Sequence, residues 1–210
     1  MPSKPIIPTV SCTSPSPSEG PTMHDFQLAL DRREFSRARD MALAFADPDM
    51  RGEHGRCALH FALLYRGSGP VVEALLQRGA QVNCQSSDGT PPLFIAARRN
   101  EPALVKKLLL AGADVALRDK EGASVLHYAE SANVAPLLEH GASLEAWDNL
   151  GRTPLHTAVL FEDPQTVRTL LAAGADVHAR DGDGKTALDL ARASGDEECV
   201  EILEQAEQGA

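Results

Sequence analysis

Apolar residues recur at helical spacing in pairs of short blocks along most of the chain. In one such pair, Leu155 and Val159 are four residues apart, and apolar positions in 167–171 follow the spacing i, i+3, i+4. Thr153 precedes the first block, where its hydroxyl can cap a helix N-terminus. Pro154 suits the first helical position, because the N–H that proline lacks has no partner there. The pattern therefore predicts two short amphipathic helices joined by a turn.

The same pair of blocks recurs with a period close to 33 residues. A first series of glycines is spaced 34, 33, 29 and 33 residues apart, and a second series is spaced 33, 29 and 33. The first series is Gly55, Gly89, Gly122, Gly151 and Gly184, and the second is Gly79, Gly112, Gly141 and Gly174. A glycine of the second series ends each second block, as a left-handed C-cap glycine does. Each unit is therefore predicted to be helix, turn, helix and extended loop.

Starting from each glycine of the first series, the chain reads, in order, GRCALHFA, GTPPLFIA, GASVLHYA, GRTPLHTA and GKTALDLA. A period near 33 with these signatures resembles the ankyrin repeat over about residues 51–205. The resemblance implies an all-α ankyrin-repeat solenoid. Its five repeats would be 51–85, 86–118, 119–147, 148–180 and 181–205, the last being a C-terminal cap. Stacked thin repeats bury mainly Leu and Ala, which accounts for an aromatic content of only 4%.

The two ends of the chain and one repeat depart from this pattern. Residues 1–22 are rich in proline and serine and are predicted to be a disordered head, because they cannot bury enough apolar surface to offset the entropy of ordering. Residues 23–50 show two helical patterns without the motif, which predicts a degenerate N-terminal capping repeat, and 206–210 are predicted to be a tail. The repeat 119–147 is four residues short, so we expect a shortened first helix or inter-helix turn.

Charge narrows the classes of partner. The chain has 20 basic and 30 acidic residues, a formal net charge of -10, which argues against a nucleic-acid binder. Nine acidic and two basic residues lie in 181–210, so this cap carries -7 of the total and the rest of the chain is nearly neutral. No apolar run approaches the ~20 residues that a membrane span needs. We expect neither nucleic acid nor a membrane as partner.

The four cysteines are scattered along the chain rather than densely spaced: Cys12, Cys57, Cys84 and Cys199. This spacing predicts reduced thiols in a cytoplasmic protein. His54, Cys57 and His60 match zinc-ligand spacing, but structural zinc sites need four protein ligands and no second cluster lies nearby in sequence. We therefore predict no metal and no other cofactor.

Three histidines occupy the same slot of their repeats, namely His60, His127 and His156. The resemblance implies a structural role, in which the ring binds the backbone of the adjacent turn. Phe94 and Asp189 fill this slot in the other two repeats, which argues against a shared catalytic role. No motif for a nucleophile or a phosphate-binding loop is found, so the chain is predicted not to be an enzyme.

The resemblance implies that a partner binds along the concave groove and the turn tips. Candidate partner-binding residues on that surface are Tyr65, Arg98, Arg99, Arg118, Trp147, Leu150, Arg152 and Phe161. Exposed Trp, Tyr and Arg are typical of binding hot spots, and the arginines suggest a partner with an acidic surface. An alternative is that Trp147 and Phe161 pack over the gap left by the short repeat. Both interpretations remain open from sequence.

The sequence therefore predicts a non-catalytic protein–protein interaction module that is monomeric by itself. One alternative is an inhibitor or immunity-type protein that neutralises a cognate enzyme or toxin. A second alternative is a metal-binding protein or enzyme centred on His54, Cys57 and His60. Fold alone does not choose among these functions.

Overall fold

The computed structural model describes residues 20–209, and the predicted disordered head lies outside them except for its last three residues. The described chain is all-helical, as predicted. Its α-helices are α1 (Met23–Asp31), α2 (Phe35–Ala44), α3 (Ala58–Leu63), α4 (Gly69–Gln77), α5 (Pro92–Ala97), α6 (Pro102–Leu110), α7 (Ser131–Glu139), α8 (Pro154–Leu160), α9 (Pro164–Ala172), α10 (Ala187–Ser194) and α11 (Glu197–Gly209). Two short 3₁₀ helices cover Glu53–Gly55 and Val125–Tyr128.

The helices stack in two rows. The first row runs through α1, α3, α5, the 3₁₀ helix Val125–Tyr128, α8 and α10, each packed against the next. The second row holds the second helix of each unit, and contacts run from α2 to α4 and from α6 through α7 and α9 to α11. Leu, Ala and Val side chains between the rows form one continuous core. Stacking therefore buries the apolar face that no single unit could bury alone.

Glycines at the turn tips allow the repeats to approach closely. Gly151 has φ 71°, and a Cβ atom added there would lie 2.7 Å from the backbone nitrogen of Gly182 in the next turn. Both the left-handed conformation and the close approach therefore require glycine at this position. The second-series Gly174 also has a positive φ of 96°, but its surroundings are open.

The short repeat loses most of its first helix. Val125–Tyr128 forms a single 3₁₀ turn, and only two residues separate it from α7, which begins at Ser131. This confirms the expectation that the missing residues would come from the end of the first helix or from the turn. Asn133 restores contact with the preceding repeat, since its amide donates to the carbonyl of Ala97 at 2.9 Å.

The first and last helices of the described chain end differently. Thr22 caps α1 in a capping box with Asp25, so the first helix begins one residue after a threonine that the sequence placed in the head. At the other end α11 continues to Gly209, past residue 205, where the predicted C-terminal cap ends and the predicted tail begins. The residues after 205 favour helix, and Ala206 packs against the core.

Candidate functional site

The three motif histidines are part of the scaffold, as the resemblance implied. The ring of His127 accepts a hydrogen bond at Nδ1 from the backbone N–H of Ser124 (3.1 Å), and its Nε2 lies 2.9 Å from the carbonyl oxygen of Arg152 in the next repeat. His60 and His156 make the same two contacts in their own repeats. All three are almost fully buried. Their nitrogens are engaged in holding turns, not in chemistry on a substrate.

A ladder of polar side chains ties successive turns together. The Nη1 group of Arg118 donates two hydrogen bonds. One goes to the carbonyl of Gly122, four residues later in the same turn, at 2.6 Å, and the other goes to the carbonyl of Trp147 in the next repeat at 2.7 Å. Gln85 and Arg51 make the same two bonds in their repeats, and Arg180 makes the bond within its own turn. We call these four residues the turn ladder. The predicted partner residue Arg118 is thus engaged in the fold.

Trp147 occupies the ladder slot of the fourth turn and interrupts the ladder. Within residues 20–209 its indole N–H makes no hydrogen bond, whereas the four ladder residues all bind the carbonyl four positions on. The residue is 62% exposed. A large apolar side chain here replaces a stabilising polar one without becoming buried, which is the pattern of a surface kept for binding.

A concave groove of about 600 Å³ lies across the first helices of three successive repeats; we call it the main groove. Its floor is apolar and is formed by Leu63, Leu64, Phe94, Ile95 and Tyr128. Its rim is polar and is formed by Arg56, Arg66, Ser86, Asp88, Thr90, Arg98, Arg99, Asp119 and Glu121. An apolar floor with a charged rim is typical of a binding surface.

The arginines of the rim are not equivalent. Arg99 is largely buried, because Nη2 lies 2.6 Å from Glu101 Oε1 while Nη1 donates to the carbonyl of Leu63 in the preceding repeat. Arg98 is exposed, and its guanidinium lies 5.8 Å from the centre of the Tyr128 ring. Among residues 20–209, Arg98 forms no ion pair. Of these two predicted partner residues, only Arg98 offers an uncompensated charge.

The rim acids are also held by neighbours. The hydroxyl of Tyr128 donates to Asp119 Oδ2 at 2.6 Å, and burial together with this hydrogen bond raises the pKa of Tyr128 well above its usual value. The Ser86 hydroxyl donates to Asp88, and this bond holds the pKa of that carboxyl below its usual range. Arg56 and Arg66 lie on the same rim and form no ion pair within the described chain. These hydroxyl donors leave Asp88 and Asp119 negatively charged, and Glu121 on the same rim also forms no ion pair within the described chain, so the main groove carries unpaired charges of both signs.

Three further predicted residues lie beside the next repeat. Leu150 and Arg152 share a shallow pocket with Leu160, and Arg152 also lines a second pocket with Leu160 and Phe161. The guanidinium of Arg152 is paired with Asp148 at 2.6 Å. Burial raises the pKa of Asp148, but hydrogen bonds from Arg152 and from backbone N–H groups outweigh it and lower the pKa overall. Arg152 therefore stabilises its own turn.

The gap left by the short repeat is a cavity of about 250 Å³. Phe161 lines it together with Leu126, Tyr128 and Ala129, yet 59% of Phe161 is exposed. Trp147 is not among its lining residues. The two aromatic residues are thus separated: Phe161 borders the gap, whereas Trp147 stands apart from it.

Tyr65 is turned away from the partner surface and towards the N-terminal cap. Its hydroxyl donates to the carboxylate of Asp31, and burial together with this bond raises the pKa of Tyr65 to about 12. The residue is half-buried and does not line the main groove. Its place in the structure is a link between α1 and the first full repeat.

The structure also brings together a cluster that spacing did not reveal. The Sγ atoms of Cys57 and Cys84 are in contact as a disulfide, with Cα atoms 7.0 Å apart, which corrects the prediction of reduced thiols for this pair. His60 Nδ1 lies 3.0 Å from the Sγ atom of Cys57. Cys84 is 24 residues from His60 in sequence, so only stacking of the loop against α3 places it there, whereas His54 takes no part in the cluster.

Comparison with known proteins matches the helical repeats described above. A family model described as ankyrin repeats in three copies matches residues 93–181. A second, described as ankyrin repeats in many copies, matches residues 64–109 and 161–204. The chain belongs to the ankyrin repeat family. Its histidine bridges and turn glycines are therefore the repeat's own stacking devices, and function must come from the residues that stacking leaves over.

Several curated ankyrin proteins are similar to this chain. The mouse NF-kappa-B inhibitor delta is 33% identical over 162 residues, covering 73% of this chain and 46% of that protein. The Arabidopsis thaliana E3 ubiquitin-protein ligase KEG is 40% identical over 112 residues, and human neurogenic locus notch homolog protein 2 is 33% identical over 116 residues. These matches cover 7% and 5% of the two proteins. The chain thus spans less than half the length of each of these relatives, and the likeness is confined to repeats.

Among residues 20–209, no helix is both long and apolar enough to cross a membrane.

Proposed function

We propose that this ankyrin protein is a non-catalytic binding module that holds a segment of another protein in the main groove. The observation that carries the proposal is the groove itself. Apolar side chains such as Leu64 and Ile95 form its floor, and Arg56, Arg66 and Arg98 on its rim have no acidic partner within the described chain. Stacking of the repeats does not require these rim charges.

The partner segment is proposed to carry apolar side chains together with carboxylates that lie against the rim arginines, away from the rim acids Asp88, Asp119 and Glu121. The three free guanidinium groups can each bind a carboxylate, and the floor can accept apolar side chains between them. Trp147 lies outside the groove and is proposed as a second contact. Phe161 shares a smaller pocket with Glu121 and Tyr128 of the main groove, and Leu150 is 62% exposed, so both are proposed as further apolar contacts. Arg99, Arg118 and Arg152 are proposed to support this surface rather than to contact the partner.

A second candidate function is inhibition by occupation. It is favoured by the similarity to NF-kappa-B inhibitor delta, which covers 73% of this chain. A module of stacked repeats would act on its partner by covering a surface that the partner needs. The cytoplasmic location and the monomeric free state that the sequence predicts belong to this proposal, and light scattering of the purified chain tests the second.

Photo-crosslinking locates the binding surface and captures the partner in the same experiment. A photoreactive amino acid is introduced at Leu64, on the groove floor, or at Leu110, which is 85% exposed at the end of α6 and away from the groove. The proposal expects a crosslinked protein, identified by mass spectrometry, from position 64 and not from position 110. Equal labelling at both positions, or labelling at 110 alone, would contradict binding in the groove.

Charge reversal then tests the role of the rim on the identified partner. Arg98→Glu removes a free rim cation and introduces repulsion, so we expect its Kd to rise at least about tenfold. Lys106→Glu is the matched control, because Lys106 is exposed on α6, outside the groove, and changes net charge equally. An equal effect of both substitutions would show general charge attraction instead of a groove contact.

A further inference from the structure

In the later repeats, the positions equivalent to Cys57 and Cys84 do not hold cysteine. Cys57 caps α3, in the slot that Ser124, Thr153 and Thr186 fill elsewhere. Cys84 lies in the loop before the next turn, 27 residues later, and alanine fills its slot in two later repeats. Both cysteines are almost fully buried. The repeat needs a capping group and a small loop residue, but it does not need two thiols.

The reduced form of Cys57 can keep the contact that caps α3. In the other repeats the hydroxyls of Ser124 and Thr153 lie 2.9 and 2.8 Å from the Nδ1 atoms of their histidines. Cys57 Sγ lies 3.0 Å from His60 Nδ1, so a thiol there can donate in place of the hydroxyl. The backbone N–H of Cys57 donates to the same Nδ1 at 3.2 Å and holds the ring whether or not the thiol is oxidised. The cap can therefore persist in both redox states.

A metal ion is the alternative occupant of this cluster. The ligand atoms of Cys57, His60 and Cys84 lie within 4.8 Å of one another. Zinc, however, takes four ligands, and a metal bound to His60 would compete with the Cys57 N–H for the single lone pair of Nδ1. Nε2 is already 2.9 Å from the carbonyl of Thr90. The geometry thus favours a sulfur–sulfur bond over coordination.

We propose that Cys57 and Cys84 form a reversible, redox-controlled bond that fastens the rim of the main groove. Arg56, next to Cys57, and Ser86, two residues after Cys84, both line that groove on facing turns. The bond joins the start of α3 to the loop before the second of these turns, whereas the reduced form leaves only the hydrogen bonds between the two. This inference concerns the fold of the first full repeat and does not depend on the identity of a partner.

Glutathione disulfide is a sufficient oxidant for the step. One protein thiolate attacks glutathione disulfide and releases one glutathione thiolate, and the second protein thiolate then attacks the mixed disulfide and releases another. Two cysteine thiols and one glutathione disulfide thus give one protein disulfide and two molecules of glutathione. Because both sulfurs are buried, the exchange requires local opening of the turns at 53–57 and 84–90.

The test equilibrates the full chain across a series of glutathione to glutathione disulfide ratios and counts free thiols after denaturation. Four thiols are expected when reduced and two when oxidised, because the chain has four cysteines. The oxidised form should melt about 5–10 °C higher and show slower amide exchange in 53–57 and 84–90, with the turn at 119–124 unchanged as an internal control.

Matched variants separate the bond from its surroundings. Cys57→Thr restores the capping residue used in later repeats, so it should fold, melt like the reduced wild type and not respond to glutathione disulfide. Cys199→Ser removes the free buried cysteine and should leave the redox response intact. The proposal is overturned if four thiols remain at every ratio, or if the bond resists excess dithiothreitol. It is equally overturned if the purified chain holds stoichiometric zinc that Cys84→Ala removes.

Discussion

Trp147→Arg is the substitution that best separates binding from folding in this protein. An arginine at 147 should extend the turn ladder, because Arg118 one repeat earlier binds the carbonyl four residues on and the carbonyl of the next ladder position. The equivalent acceptors here are the carbonyls of Gly151 and Arg180. Two hydrogen bonds from a charged donor to exposed carbonyls contribute together about 1–2 kcal/mol, and immobilising the arginine side chain offsets part of this.

The loss of the tryptophan itself should cost little. The residue is already 62% exposed, and the aliphatic stem of an arginine can cover much of the surface that the indole covers. We therefore expect a free energy of unfolding equal to that of the wild type or up to about 1 kcal/mol higher. Urea denaturation followed by circular dichroism measures this change, since the variant lacks the single tryptophan needed for fluorescence.

Arg118→Trp is the inverse control, because it introduces a second interruption of the ladder. It should lower the free energy of unfolding by about 1–2 kcal/mol through the loss of two hydrogen bonds. Binding should respond differently, since Trp147→Arg removes a proposed hot spot and should raise Kd for the identified partner about 30-fold, or about 2 kcal/mol. If Trp147→Arg instead unfolds more easily by over about 1 kcal/mol, Trp147 is a packing residue and the reasoning fails.

Three further predictions concern the scaffold. His127→Ala should lower the free energy of unfolding by about 2–4 kcal/mol, because a buried ring with contacts at both nitrogens is lost. Urea denaturation measures this change, and a loss below about 1 kcal/mol would contradict a bridging role. Burial lowers the pKa of His60 and His127, so each ring takes up its proton at a lower pH in the fold than in the unfolded chain, where histidine titrates near pH 6.5. Stability present above that pH should therefore fall by up to about 1.4 kcal/mol per histidine for each pH unit below it, and equal melting temperatures at pH 7.5 and 5.5 would refute this. Gly151→Ala should destabilise the fold more than Gly174→Ala, because both glycines have positive φ but only Gly151 faces a close backbone nitrogen. Equal falls in melting temperature for the two variants would show that the close nitrogen adds no steric cost.

The repeat pattern predicted the fold because its signals are local. Thr153, Pro154 and Gly174 act through caps and backbone conformation within a few residues of themselves, so their effect can be read without knowing what packs against them. The roles of His127 and His156 came from the family resemblance, and the structure agrees with it. The sequence did not predict the extension of α11 beyond residue 205, because a tail and a frayed helix end have similar composition.

The site was less predictable, because its residues act through partners from neighbouring repeats. Arg98, Arg99 and Arg118 are alike in sequence, yet Arg99 is paired with Glu101 and bound to the preceding repeat, Arg118 is bound to the next turn, and Arg98 forms no ion pair in the described chain. An arginine's availability is set by what stacking places within reach of its guanidinium. Only one sequence signal could have identified Arg118, namely its alignment with Arg180 and with Gln85 in the ladder slot.

A residue that departs from its repeated slot also reveals its role through the contacts that stacking gives it. A slot that four repeats fill with a polar donor and one fills with Trp147 has lost a stabilising contact there, and nothing in the stacking of the repeats replaces it. Cys57 differs, because its backbone N–H still binds His60 Nδ1 while its sulfur meets Cys84. One departure thus gives up a contact of the scaffold, and the other adds a bond to it. The lost contact at Trp147 points to binding by this solenoid, and the added bond at Cys57 points to control of its stability.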